Sequence, residues 1–151
     1  MNEISGFRGE YQFLSNFYPC KINFGNLVFD SVEAAFQAAK CEDYADRLKF
    51  QGLMGSEAKK LGRRVKLRAD WEQVKIPVMT ELVQQKFTNS PEMLKELTAT
   101  GDAILVEENM WHDNFYGDCV CARCRNIPGQ NKLGLILMEI RNQYQAARYA
   151  L

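Results

Sequence analysis

Apolar side chains in this chain recur mostly at helical spacing, while its β-prone runs are all five residues or shorter, and that imbalance constrains the fold most. Val32, Ala35, Phe36 and Ala39 stand at i, i+3, i+4 and i+7. They predict a helix that starts from Asp30 or Ser31 as N-cap and runs to about Cys41. Residues 43–53 and 56–62 read as two short helices separated by Met54-Gly55, with Ser56 capping the second and Gly62 ending it. Pro77 opens a further helix carrying Met79, Leu82, Val83 and Phe87, which Asn89-Ser90-Pro91 stops; a short helix follows from Pro91 to about Thr98. The last helix has the stripe Leu133, Ile136, Leu137, Ile140 and Tyr144, with Asn131 as its N-cap. Against these stand residues 21–24 and 27–29, joined by Gly25-Asn26 as a tight hairpin, and a buried strand over residues 103–107. The expected class is α+β and helix-rich, with about six to seven helices and a small antiparallel sheet.

A chain of 151 residues needs only one core, and it shows no internal repeat, low-complexity tract or Gly/Ser linker, so residues 1–151 read as a single domain. Its 19 basic and 19 acidic side chains cancel, which argues against a protein that coats nucleic acid or an anionic membrane. The first twenty residues interleave charge with aromatics and lack the apolar segment of a secretory signal. The longest aliphatic stretch, residues 135–138, is far short of the ~20 residues that span a bilayer. Five cysteines, an odd number, fit reduced thiols in the cytoplasm better than a disulfide framework.

Several groups carry chemistry. Glu33, Gln37 and Lys40 lie at i, i+4 and i+7, so one helix face presents a carboxylate, an amide and an amine in line. The same spacing also allows a plain reading, in which Asp30 and Glu33 are the two ends of a capping box and Lys40 is a solvated C-terminal charge. Lys59, Lys60, Arg63, Arg64, Lys66 and Arg68 place six positive charges in ten residues, either a phosphate-binding group or a solvated helix end. Residues 108–130 form a long polar connection of the length that usually carries function. Within it, Cys119, Cys121 and Cys124 have metal-ligand spacing, and His112, the single histidine, could complete a tetrahedral Cys₃His zinc site. Such a site would staple the loop, because four protein ligands leave no open position.

A set of segments, in order along the chain, resembles one family. The set comprises Leu14-Ser15-Asn16-Phe17-Tyr18-Pro19, Ser31-Val32-Glu33 with Phe36-Gln37-Ala38 and Lys40, and Ala58-Lys59 with Leu61-Gly62-Arg63. It continues with Leu105-Val106-Glu107, Asp113 with Tyr116-Gly117, and Gly129-x-Asn131-x-Leu133-Gly134 with Leu137-Met138 and Arg141. From about Phe7 to Tyr144 the chain resembles the NADAR family, also called YbiA-like. One departure is that Tyr116 stands where the family commonly has Trp before glycine.

The resemblance implies a mostly helical YbiA-like fold and an N-glycosidase acting on ribosyl-phosphate or ADP-ribosyl compounds. Phosphoribosylamino-pyrimidine intermediates of riboflavin synthesis and ADP-ribosylated guanine are the two substrate types it suggests, the second including ADP-ribosylated nucleic acid. No cofactor is expected beyond the zinc reading. Cleaving an N-glycoside builds positive charge on the anomeric carbon, so an anion, a proton donor and an activated water or amine are needed. Glu33, Lys40 and Asp113 are the catalytic candidates, Lys40 as an amine forming a Schiff base with a ring-opened sugar. Ser15, Asn16, Gln37, Lys59, Arg63, Tyr116 and Asn131 are the substrate-binding candidates, with Arg8 a lesser phosphate partner. Phe13, Phe17 and Tyr18 could stack on a base or simply fill the core, and Asp113 could equally be a turn residue. The alternative to an enzyme is a module that binds ADP-ribose or a nucleotide through the same pocket without cleaving it.

Overall fold

The computed structural model describes residues 2–149. In chain order the strands and helices are β1 (Glu3–Ser5), β2 (Ile22–Phe24), β3 (Leu27–Phe29), α1 (Val32–Ala39), α2 (Tyr44–Leu48), α3 (Gly55–Leu61), α4 (Trp71–Thr88), α5 (Pro91–Ala99), β4 (Ile104–Val106), β5 (Glu108–Asn109), β6 (Asp118–Cys119) and α6 (Lys132–Tyr149). Short 3-10 turns lie at Gly9–Leu14 and Gly62–Arg64. The helix-rich α+β class predicted from periodicity holds. The chain forms two compact units, Asn16–Ser90 and Met1–Ser15 with Pro91–Leu151.

In the Asn16–Ser90 unit the hairpin forms where it was predicted. Strands β2 and β3 pair antiparallel with Ile22 opposite Phe29 and Phe24 opposite Leu27. Gly25 and Asn26 take φ of 56° and 65°, the two left-handed residues that a tight two-residue turn of the strands' own twist requires. Alternation then buries Ile22, Leu27 and Phe29 and exposes Asn23 and Val28.

Helix α1 follows at once. Ser31 is its cap, the Oγ accepting from the Ala34 N–H at 3.0 Å, while Asp30 pairs with Lys21. That offset of one residue makes Glu33 the second helical position, so the capping box, which needs a carboxylate at the third, is not formed. All eight residues of α1 are buried, because α3, α4 and the hairpin pack around it. Its four alanines present thin faces that let these neighbours come close.

Three other boundaries differ from expectation. Helix α3 starts at Gly55, with Met54 as N-cap and the Glu57 carboxylate accepting the Met54 N–H at 2.9 Å; Ser56 lies inside the first turn and caps nothing. Helix α2 ends at Leu48, and the chain turns through Gly52 at φ 77°. Helix α4 starts at Trp71 and carries Pro77 in its interior. Trp71 shares a face with Val78 and Leu82, and its ring lies 5.1 Å from that of Phe36 on α1. That burial extends the apolar stripe backwards and offsets the single backbone hydrogen bond that Pro77 cannot donate.

In the other unit, α6 packs on β4 and α5 and buries Leu133, Leu137 and Ile140, while Tyr144 is 38% exposed. Each fully buried leucine contributes about 1.5–3 kcal/mol. Strand β4 pairs in parallel with β1, Glu3 opposite Ile104 through Ser5 opposite Val106. Ile104 is 39% exposed, so the predicted buried strand is buried on one side only. Strands β5 and β6 form a second parallel pair inside the long connection.

Asn131 stands at the start of α6, its C=O accepting the Leu135 N–H at 3.0 Å. Its side chain does not cap the helix. With φ at 51°, its Oδ1 accepts the Glu107 N–H at 3.0 Å and its Nδ2 donates to the Leu105 C=O at 2.9 Å. The carboxamide thus does for this stretch of backbone what a neighbouring strand would do. Gly134 makes the approach possible, because an added Cβ would lie 2.1 Å from the Leu105 oxygen and 2.3 Å from Asn131 Nδ2. Gly134→Ala is expected to cost about 1–3 kcal/mol of stability, although alanine improves helix propensity by about 1 kcal/mol. Urea unfolding measures it; an unchanged midpoint would contradict the close-approach account.

Candidate active site

Glu33, Gln37 and Lys40 share one face of α1 in the Asn16–Ser90 unit. Glu33 and Gln37 are 8% and 6% exposed, and Lys40 is half-buried at the C-cap. Gln37 Nε2 donates to Glu33 Oε1 at 3.1 Å, which leaves Gln37 Oε1 buried without a hydrogen-bond partner in the protein. A carboxylate taken out of water needs hydrogen bonds and an opposite charge nearby. Lys40 supplies the charge. Burial pushes its amine below the ordinary lysine range, the Glu33 carboxylate pulls it partly back, and the Arg63 guanidinium adds to the lowering. The end of α3 closes over this face so tightly that a Cβ on Gly62 would lie 1.9 Å from Gln37 Oε1 and 3.0 Å from Lys40 Cε. Gly62 has an ordinary helical φ of −61°; what the position demands is space.

The segment beginning at Asn16 meets the start of α1, the Asn16 C=O accepting the Glu33 N–H at 3.0 Å. Asn16 Nδ2 lies 3.4 Å from Met79 Sδ. Phe17 is 39% exposed and lies against Gly55, with Lys59 Nζ 5.8 Å from its ring centroid. The basic run divides. Lys66 pairs with Glu42 at 2.8 Å and Arg68 forks onto Asp70 at 2.6 and 3.0 Å, so these two charges are held by acidic neighbours, while Arg63 faces Lys40. Arg8 reaches Glu108 at 3.4 Å in the other unit.

The remaining candidates lie in that other unit, and most of them organise backbone. Asp113 Oδ1 accepts the N–H groups of Phe115 and Tyr116 at 3.1 and 2.9 Å, and Asn109 grips the Asp113 N–H and C=O at 3.1 and 2.8 Å. This is the turn-building role of an aspartate. Tyr116 meets Phe115 edge-on at 4.7 Å. Asp118 Oδ1 accepts the Gly129 N–H at 2.9 Å, and Ser15 ends the first 3-10 turn through its own N–H to the Gln12 C=O. The structure therefore gathers Glu33, Gln37, Lys40 and Arg63 into one group, with Asn16 anchoring it. His112, Cys119, Cys121 and Cys124 hold their ligand atoms within 4.8 Å of one another, a set able to hold a metal ion.

Sequence reasoning missed Lys86, which is 2% exposed on α4, with Nζ 5.6 Å from the Tyr18 ring centroid and 5.2 Å from that of Phe87. Burial raises the Cys20 thiol, and the Lys86 charge pulls it partly back. The signal was there: Lys86 falls at i+7 from Met79 and i+4 from Leu82, on the apolar stripe.

The NADAR domain model matches residues 6–145, a span that runs through both units. The chain belongs to the NADAR family. It is 35% identical over 139 residues to an N-glycosidase of Nostoc punctiforme, covering 88% of this chain and 85% of that one. To the N-glycosidase YbiA of Escherichia coli it is 34% identical over 137 residues, 89% of this chain and 82% of that one. A riboflavin biosynthesis protein of Vibrio vulnificus is 35% identical over 138 residues; the chain spans about a third of that protein's length, 35%. The solution structure of Escherichia coli YbiA superposes with a TM-score of 0.82 at 30% identity, covering 98% of this chain and 88% of that one. This NADAR protein has the YbiA-like fold, and with these relatives it is a hydrolase of N-glycosyl bonds. No helix among its described residues is long and apolar enough to cross a membrane.

Proposed function

We propose that this NADAR protein hydrolyses the N-glycosidic bond of a phosphorylated ribosyl compound in the cytoplasm, with the chemistry centred on Glu33. The observation that carries this reading is the buried Glu33 carboxylate, hydrogen-bonded to Gln37 and set beside a lysine whose amine burial has made easier to deprotonate. As the bond to the base breaks, the ribose anomeric carbon turns cationic, and a carboxylate held in a water-poor site stabilises that charge far better than one in bulk water. Lys40, neutral at a lower pH than an ordinary lysine, adds to the anomeric carbon; the base leaves with a proton as its bond to that carbon breaks and the ring-opened Schiff base forms, and water then hydrolyses the Schiff base to free the sugar and the Lys40 amine. Gln37 Oε1, buried and without a partner, accepts from a ribose hydroxyl. Arg63 and Lys59 hold the phosphate, and Phe17 offers its exposed ring to the base. In the other unit, Asp113 and Asn131 act through the backbone they hold.

The two substrates proposed for this site are a phosphoribosylamino-pyrimidine intermediate of riboflavin synthesis and ADP-ribosylated guanine. The name of the Vibrio vulnificus relative supports the first. Incubation with each, followed by mass spectrometry of released base, decides between them; turnover of one and not the other is expected. Affinity for ADP-ribose by calorimetry, with no base released from either compound, would make the protein a binding module instead.

Arg63→Ala and Lys59→Ala are each expected to raise KM roughly tenfold, the loss of one charge-assisted hydrogen bond, with kcat nearly unchanged. The effect should shrink as salt screens the phosphate. A fall in kcat with KM unchanged would move these residues from binding to chemistry.

A further inference from the structure

We propose that His112, Cys119, Cys121 and Cys124 form a closed tetrahedral zinc site that fixes the turn over residues 113–117. Burial in this segment runs opposite to what an apolar core would select. Cys119, Cys121 and Cys124 are 2%, 9% and 5% exposed and form a cluster of their own. Between and after them every residue from 120 to 128 other than Cys121 and Cys124 is exposed, including Val120 at 43% and Ile127 at 53%. Thiols are inside and aliphatics outside, so hydrophobic packing does not account for the cluster.

The distances fit a small soft cation. His112 Nδ1 lies 3.3 Å from Cys121 Sγ, 3.4 Å from Cys124 Sγ and 4.0 Å from Cys119 Sγ. Zinc bonds of about 2.3 Å to sulfur and about 2.0 Å to nitrogen set the tetrahedral N···S edge at about 3.5 Å, within that range. The backbone bends to achieve this. His112 takes a φ of 70°, in the left-handed region, and its N–H donates to Cys119 Sγ at 3.3 Å, as it would to a thiolate. Three thiolates and an imidazole select zinc among common divalent ions and leave no open position for water, so the ion is structural.

Its task follows from where the ligands stand. His112 and Cys119 flank residues 113–118, which carry Asp113 and Tyr116. Cys119 is tied to the same turn, its N–H donating to Asn114 Oδ1 at 2.9 Å. The parallel pair β5·β6 is only two residues long, Glu108 opposite Asp118 and Asn109 opposite Cys119, too short to hold a loop of this length by itself. A zinc ion supplies the cross-link that the loop's exposed aliphatics do not.

The test needs no enzymatic readout, so its failure and that of the glycosidase reading are separable. The full chain, expressed in zinc-supplemented medium and gel-filtered, is expected to carry one zinc per chain by plasma mass spectrometry. Exchange with Co²⁺ should give the intense visible absorption of a tetrahedral thiolate complex. Cys121→Ser should lose both, and Cys20→Ser should keep both. Because a ligand variant can fail to fold, the wild-type thiols are also titrated with an organomercurial, which should release zinc in step with the cluster. Three reduced, freely reactive thiols without metal would overturn the proposal. So would a disulfide within the cluster, bound iron in place of zinc, or metal content unchanged in folded Cys121→Ser.

Discussion

Glu33→Gln is expected to lower kcat by about 10²–10⁴-fold, the usual contribution of a positioned acid–base or charge-stabilising group, while the protein folds as before. The substitution is close to isosteric. A glutamine at 33 still offers an oxygen to Gln37 Nε2 and still donates its backbone N–H to the Asn16 C=O, so the packing of α1 is preserved. What it removes is the negative charge, and with it the stabilisation of a cationic anomeric carbon and of the partly buried Lys40 ammonium. Two readouts separate charge from structure: far-ultraviolet circular dichroism and the urea midpoint should stay put while turnover collapses. Turnover within a few-fold of wild type would remove Glu33 from the mechanism.

Lys40→Met is expected to abolish trapping of a sugar adduct by borohydride and to lower kcat by about 10²–10⁴-fold if amine attack carries turnover. Peptide mapping of the wild-type adduct should place it on Lys40; an adduct on Lys86 would move the nucleophile to α4. The variant also reports on stability. Burial lowers the Lys40 pKa in the folded state below the 10.5 of a free lysine, so between those two values the unfolded chain binds more protons than the folded one. Stability therefore carries its full penalty below the folded pKa and recovers as pH rises toward the unfolded value. Lys40→Met should flatten that part of the stability profile, as urea unfolding over a pH series would show. In the wild type, the rate should rise with pH through the same lowered pKa.

Much of the Asn16–Ser90 unit was legible because its signals are local. Gly25-Asn26 between two alternating runs specifies the hairpin, and the α1 spacing places Glu33, Gln37 and Lys40 on one face. What the sequence left open was the register of the cap. Asp30 as N-cap would have made Glu33 half of a capping box; Ser31 as N-cap frees it, and one serine hydroxyl decides the matter. The start of α4 was hidden because Pro77 is also the standard opener of a helix, and only the packing of Trp71 on Phe36 shows that the helix had begun earlier. Strand β1 was invisible, since its parallel partner β4 lies some hundred residues away and no turn announces it. Asn131 was read as a cap because helix starts favour asparagine. Its true partners, Leu105 and Glu107, become visible only once β4 lies beside α6.

Identification of the broken bond decides whether this chain cleaves N-glycosides. Wild-type protein is incubated with the phosphoribosylated pyrimidine and with ADP-ribosylated guanine, and every product is quantified by mass spectrometry. Free base and its sugar partner, ribose phosphate or ADP-ribose, are expected in equal amounts, over many turnovers, from one of them. Products that keep the base joined to ribose, with cleavage at phosphate instead, would contradict this.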